Sequence, residues 1–267
     1  MAPPYAGRTP ERLRLCGVLI LLPPSEGKTQ RRRGRRLDLG TLSFAELTSL
    51  REALIDRVGE VSARPDAHRL LAVSPNLVEE VARNTRLRTA ATAPASEVYT
   101  GVLYDALDLG SLDAAAKRRA NRRVIILSAL FGAVRPTDRI PAYRLNPSAE
   151  LPGVGDLTRA WRAVLASALE QAAGASGPIV DCRSSAYVAM WNPRGALGER
   201  RVQITVPGAS HMAKHTRGLV ARHLVQSAAR PRHPEDLVEI LADGFDVRLT
   251  EPERAGRSWQ LAATART

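Results

Sequence analysis

Apolar residues along this chain follow two rhythms. Short runs closed by turn residues, at 18–22, 124–127, 179–181 and 201–206, predict buried strands, and 245–249 and 259–262 read as closing strands. Elsewhere the apolar positions recur every three or four residues. The clearest such segment is 155–173, where Leu157, Trp161, Val164, Leu165 and Leu169 share a face and Gly174 ends the helix. A second, 212–228, turns Met212, Leu219, Val220 and Leu224 inward. Ser43-Phe44-Ala45-Glu46 has the spacing of a capping box and opens a helix to about Val58. Ser74-Pro75 opens another, with Leu77, Val78 and Val81 on its apolar face. A short helix over 111–121 ends in Lys117, Arg118 and Arg119, as a helix C-terminus favours, and 234–243 forms the last helix. Helices and strands alternate unevenly, which predicts an α/β fold with a mixed sheet and surrounding helices. No Gly/Ser linker divides 18–267, so it is expected to form a single domain, while the Pro- and Arg-containing residues 1–17 read as a disordered extension.

Charge narrows the partners. The net charge is +12, and arginines outnumber lysines 36 to 3, so polyanions such as nucleic acid are favoured. The arginines at 31–36 form either a solvated loop or an arm facing phosphates. Two cysteines, Cys16 and Cys182, make no disulfide framework, and no Cys/His cluster has zinc spacing; no metal or cofactor is expected. Near the N-terminus the longest apolar run is too short for a membrane span or a signal segment, which reads as a cytoplasmic protein with no membrane partner. The oligomeric state is left open.

Candidate chemistry concentrates just beyond the strand at 124–127. There Ser128 sits in a turn, followed by Arg135-Pro136-x-Asp138 and Pro141-x-Tyr143-Arg144. Polar groups delivered past a buried strand stand where α/β sheets place their sites. Arg135 and Arg144 offer bidentate guanidinium groups to an anion, or pair with Asp138. Gly27-Lys28-Thr29 after a strand invites a phosphate-loop reading, but Leu22 stands where that motif needs glycine and no helix follows. Ser25 and Lys28 remain an anion or substrate clamp, and Tyr99-Thr100 adds an aromatic face and a hydroxyl. Arg183-Ser184 can open a helix whose N–H groups suit an anion. His211, Lys214 and Arg217 fall three residues apart and share one helix face.

These segments make the chain resemble the YaaA family, named for a bacterial peroxide-stress protein. The resemblance is carried by residues 127–145 together with 22–29, 97–101, 181–187 and 210–218, in the family's order. It implies a cytosolic protein of the peroxide-stress response that binds DNA through a positively charged cleft. It also implies a single α/β domain containing a helix-hairpin-helix-like element. Two departures stand out: a connection of only Pro207-Gly208-Ala209, and Asn146-Pro147 where the family more often has an acidic residue and Met. Two readings follow. In one, arginines and lysines meet DNA phosphates while Tyr143 or Tyr99 stacks on an exposed base. In the other, the protein is an enzyme on a nucleobase, nucleoside or nucleotide, with Asp138 as general acid/base and Lys28, Arg144 and Lys214 holding the anion.

Overall fold

The structure, a computed structural model, describes residues 17–207 and 210–266. The expected extension at 1–16, Cys16, and part of the short connection before Ser210 lie outside the described residues. A seven-stranded sheet runs through the fold: β1 (Leu19–Leu22), β2 (Val124–Ser128), β3 (Gly132–Val134), β4 (Ile179–Asp181), β5 (Arg201–Thr205), β6 (Phe245–Thr250) and β7 (Trp259–Ala265). Its order is β6-β7-β5-β4-β1-β2-β3. The five inner strands are parallel, with Ile20 opposite both Val124 and Val180, while β3 and β6 close the edges antiparallel. Continuous apolar runs suit strands covered on both faces; β1 and β2 are buried at every position.

The main helices are α1 (Thr48–Ser62), α2 (Val102–Leu107), α3 (Ala114–Arg123), α4 (Leu157–Ala173), α5 (Ser210–Gln226) and α6 (Asp236–Leu241). From β1 the chain moves to β2 on one side, then returns through α4 to β4 on the other. Right-handed crossovers place the helices of two such opposed connections on opposite faces. The packing agrees, since α5 lies against α2 and α3, whereas α4 meets β3 and the turn leading into α1. Arg119 and Arg123 of α3 donate to the carbonyls of Leu224, Val225 and Gln226, covering the C-terminus of α5. No helix among the described residues is long and apolar enough to cross a membrane.

Several boundaries differ from expectation for identifiable reasons. The capping box does not form: Ser43 donates its backbone N–H and its hydroxyl to the Asp138 carboxylate, at 3.1 and 2.9 Å. Phe44 is left-handed with φ 64°, and a 3-10 turn at Ala45–Leu47 precedes α1. A buried carboxylate elsewhere in the chain thus outcompetes the local cap. Asp113 and Asp156 cap α3 and α4 instead, so both helices start later than their apolar patterns suggest. The helix after Ser74 covers only Val78–Arg83, and Val78 is 69% exposed. Met212 likewise faces outward at 53% exposure, while Val220 and Leu224 are buried.

Candidate functional site

The sheet reverses its direction of travel between β1 and β4, and parallel sheets open a crevice beyond the carboxyl ends of such a strand pair. Here that crevice is a cavity of about 510 Å³. Its floor is the segment after β1, Pro23 to Lys28, and Cys182 and Ser184 after β4. One wall is Thr100 to Tyr104 at the start of α2, a second is Arg144 to Pro147, and Lys214 and Arg217 on α5 close a third. A neighbouring cavity of about 540 Å³ shares Glu26, Gly27, Lys28 and Arg144 and is bounded by Tyr143, Ser74 and Arg83.

Backbone pairing fixes the 25–29 segment. Lys28 bridges Tyr99, Thr29 donates to the Val98 carbonyl, and the Ser25 hydroxyl accepts from the Thr100 N–H. The Lys28 ammonium donates to the Ser25 carbonyl at 2.5 Å and lies 4.6 Å from the Tyr143 ring centre and 5.6 Å from that of Tyr99. Burial lowers its pKa to about 7, the Arg144 charge adds to the shift, and Glu26 opposes it. Beneath Lys28 runs a chain of hydroxyls. Tyr99 and Tyr143 are 3.0 Å apart, Tyr143 and Ser128 are 2.7 Å apart, and Ser128 accepts from the Phe131 N–H. Burial pushes the Tyr143 phenol up to about 12 and raises Tyr99 well above its ordinary value, so both stay protonated near neutrality. The Cys182 thiol is also pushed up to about 12 by burial, which removes it as a thiolate nucleophile.

Of the residues singled out in the sequence, Ser25, Lys28, Thr100, Arg144, Ser184, Lys214 and Arg217 are brought to the cavity beyond β1 and β4. Tyr143 borders the neighbouring one, and Tyr99 supports Lys28 from below. Ser128 is buried under Tyr143, and His211 is exposed without reaching either wall. Asp138 stands elsewhere: its carboxylate accepts from Ser43 and from the Arg135 N–H at 2.7 Å, and it lines neither cavity. Arg135 donates to the carbonyls of Arg122 and Val124 and covers the Phe44 ring. Arg183 is 1% exposed and forks onto Asp181, which Arg201 also meets at 2.9 Å. Burial alone would raise the Asp181 carboxyl, yet the two guanidiniums hold it below its ordinary value. These arginines therefore order the fold around the cavity rather than face into it.

Three contributors escaped the sequence reading. Asn84 exchanges two hydrogen bonds with the backbone of Arg144, at 2.9 and 2.7 Å, and so aims that side chain. Tyr104 donates to the Pro23 carbonyl at 2.7 Å, and Tyr187 lines the cavity. An asparagine 60 positions from its partner leaves no local pattern, whereas Tyr187 falls within the motif at 181–187 but carries no charge to set it apart from Arg183.

The family model of the peroxide stress protein YaaA matches residues 18–250. A UPF0246 protein of Streptomyces coelicolor is 47% identical over 253 residues, covering 91% of this chain and 97% of that one. A UPF0246 protein of Corynebacterium efficiens is 40% identical over 240 residues, 88% of this chain and 96% of that one. One from Cereibacter sphaeroides is 32% identical over 201 residues, 67% and 75% of the two chains.

Proposed function

We propose, from the premise that this chain belongs to the YaaA family of peroxide stress proteins, that it is a cytoplasmic protein that binds DNA at the cavity beyond β1 and β4. The observation that carries this reading is the convergence of Lys28, Arg144, Lys214 and Arg217 on one cavity with Glu26 as the single carboxylate on its lining among the described residues. Guanidinium and ammonium groups held this way suit phosphate oxygens. Cavities of roughly 300–1,000 Å³ admit small ligands, and this one has room for a single nucleotide unit. Tyr99 and Tyr143 are buried at 1% and 4% exposure, so the base-stacking role expected of them passes to Tyr187.

The test is a titration of the wild type and Lys214→Ala with duplex, bubble-containing and single-stranded DNA at two salt concentrations. Lys214 is exposed, so its loss leaves the core intact. The expected result is a several-fold weaker affinity and a log–log salt slope smaller by about one. Equal affinity and slope in the two proteins would overturn the reading. The enzymatic alternative is favoured by one observation, the Lys28 amine held within the cavity. Asp138 no longer supplies its acid/base group in this reading, because its oxygens are engaged by Ser43 and Arg135.

A further inference from the structure

The geometry points to Lys28 as an amine that captures aldehydes: it condenses with the open-chain aldehyde of a phosphorylated sugar whose phosphate is held by Arg144, Lys214 and Arg217. This inference rests on the cavity beyond β1 and β4 being the ligand site, and it adds a covalent activity to binding.

Location is the first argument. Lys28 belongs to the wall shared by both cavities, so a ligand in either meets the same side chain. The second is how the amine is held. Its hydrogen-bond partners are the carbonyl oxygens of Ser25 and Glu26, and its flanks are the faces of Tyr143 and Tyr99. Carbonyls and ring faces fix the position of the nitrogen without the full charge compensation of an ion pair. Arg144, whose side chain donates to the Glu26 carbonyl at 3.1 Å, brings a second positive charge alongside. A partly desolvated amine beside another cation is the setting in which a lysine becomes nucleophilic near neutrality.

The surroundings supply no rival nucleophile of comparable strength. The tyrosines and Cys182 are kept protonated by burial, and among the described residues no histidine lines the cavity beyond β1 and β4. The other two lysines are exposed on helices, Lys117 on α3 and Lys214 at the cavity rim on α5. The nearby arginines serve a different end. A phosphate one or a few bonds from an aldehyde would be anchored by guanidinium forks while the carbonyl carbon reaches the amine.

In the step itself the neutral Lys28 nitrogen attacks the aldehyde carbon, forming a C–N bond as the carbonyl π pair moves to oxygen. That oxygen takes one proton to give a carbinolamine. Loss of the hydroxyl with a second proton, as water, leaves the C=N bond, and the two protons that nitrogen gives up, one on addition and one after dehydration, pass to solvent and replace those two. One amine and one aldehyde thus give one imine and one water, with no oxidant, metal or cofactor consumed.

Two sources carry this chemistry, an abasic deoxyribose within DNA and a free sugar phosphate. The full-length protein is incubated in parallel with an abasic-site oligonucleotide and with 2-deoxyribose 5-phosphate, reduced with borohydride, digested, and mapped by peptide mass. The expected result is a stable adduct on Lys28 alone among the three lysines, in the arm that supplies the physiological source or in both. Its yield rises through about pH 7, where an exposed lysine would respond only near pH 10. Lys28→Arg, which keeps the cation over the Tyr143 ring, is expected to abolish the adduct. Adducts on Lys117, Lys214 or the chain's amino terminus, or no adduct in either arm, would overturn the proposal, and the mapping on wild type decides this without any variant. DNA binding with no adduct removes the covalent step and leaves the DNA reading standing. An adduct on Lys28 from the sugar phosphate, with no salt-sensitive DNA binding, does the reverse.

Discussion

Partial burial of the Lys28 ammonium over two phenol rings ties folding to pH. Its folded pKa is about 7 against an ordinary 10.5. Between those values the unfolded chain binds one more proton than the folded one, so stability rises with pH across that window. Below about pH 7 both states are protonated and the full penalty is present. Lys28→Met is therefore expected to be more stable than wild type in urea at pH 6, with the gap closing as pH approaches 10. A gap that does not change with pH would show the amine to be solvated. Asn84 offers a second test at this scale. Asn84→Ala removes both hydrogen bonds to the Arg144 backbone from a fully buried position, and unfolding should be easier by about 1–3 kcal/mol, with weaker anion binding through the loosened Arg144. Lys28 and Arg144 were legible in the sequence because a charged residue just past a buried strand is delivered to the sheet's carboxyl edge. Arg135, Arg183 and Asp138 carry the same chemistry at similar offsets. Only tertiary structure shows that their partners are backbone carbonyls, Asp181 and Ser43.

Helices and strands were easier to place than their ends. The runs at 124–127 and 179–181 appear as β2 and β4 almost residue for residue, since continuous apolar sequence has few alternatives in a sheet covered on both faces. Ends went astray where a cap is chosen by distant groups, as at Ser43, or where an aspartate just upstream supplies a better one, as at Asp113 and Asp156. Two glycines hold elements closer than any side chain permits. Gly132 opens β3 with φ +72°, and a Cβ there would lie 2.4 Å from the Trp161 ring on α4. Gly132→Ala should cost roughly 2–4 kcal/mol in denaturant unfolding through strain and overpacking. On α5, a Cβ at Gly218 would approach the Leu103 carbonyl to 2.2 Å. Gly218→Ala must therefore push α2 away, carrying Leu103 and Tyr104 out of the cavity wall. Weaker ligand binding as well as a lower Tm is the expected pair of outcomes; a lower Tm with unchanged binding would place α2 outside the site.

For the whole molecule, the question is whether the +12 charge acts as a diffuse field or through one place. A diffuse field weakens by the same amount wherever two positive charges are removed. The turn joining β6 to β7 lies at the amino end of the parallel strands, opposite the cavity, and carries the exposed Arg254 and Arg257. The deciding measurement is the salt dependence of DNA affinity for Arg144→Ala/Lys214→Ala beside Arg254→Ala/Arg257→Ala, two proteins of equal net charge. If the cavity is the site, the first pair loses affinity by at least ten-fold and its log–log salt slope falls by about two, while the second stays near wild type. Equal losses in the two proteins would contradict the account and leave DNA binding to net charge alone.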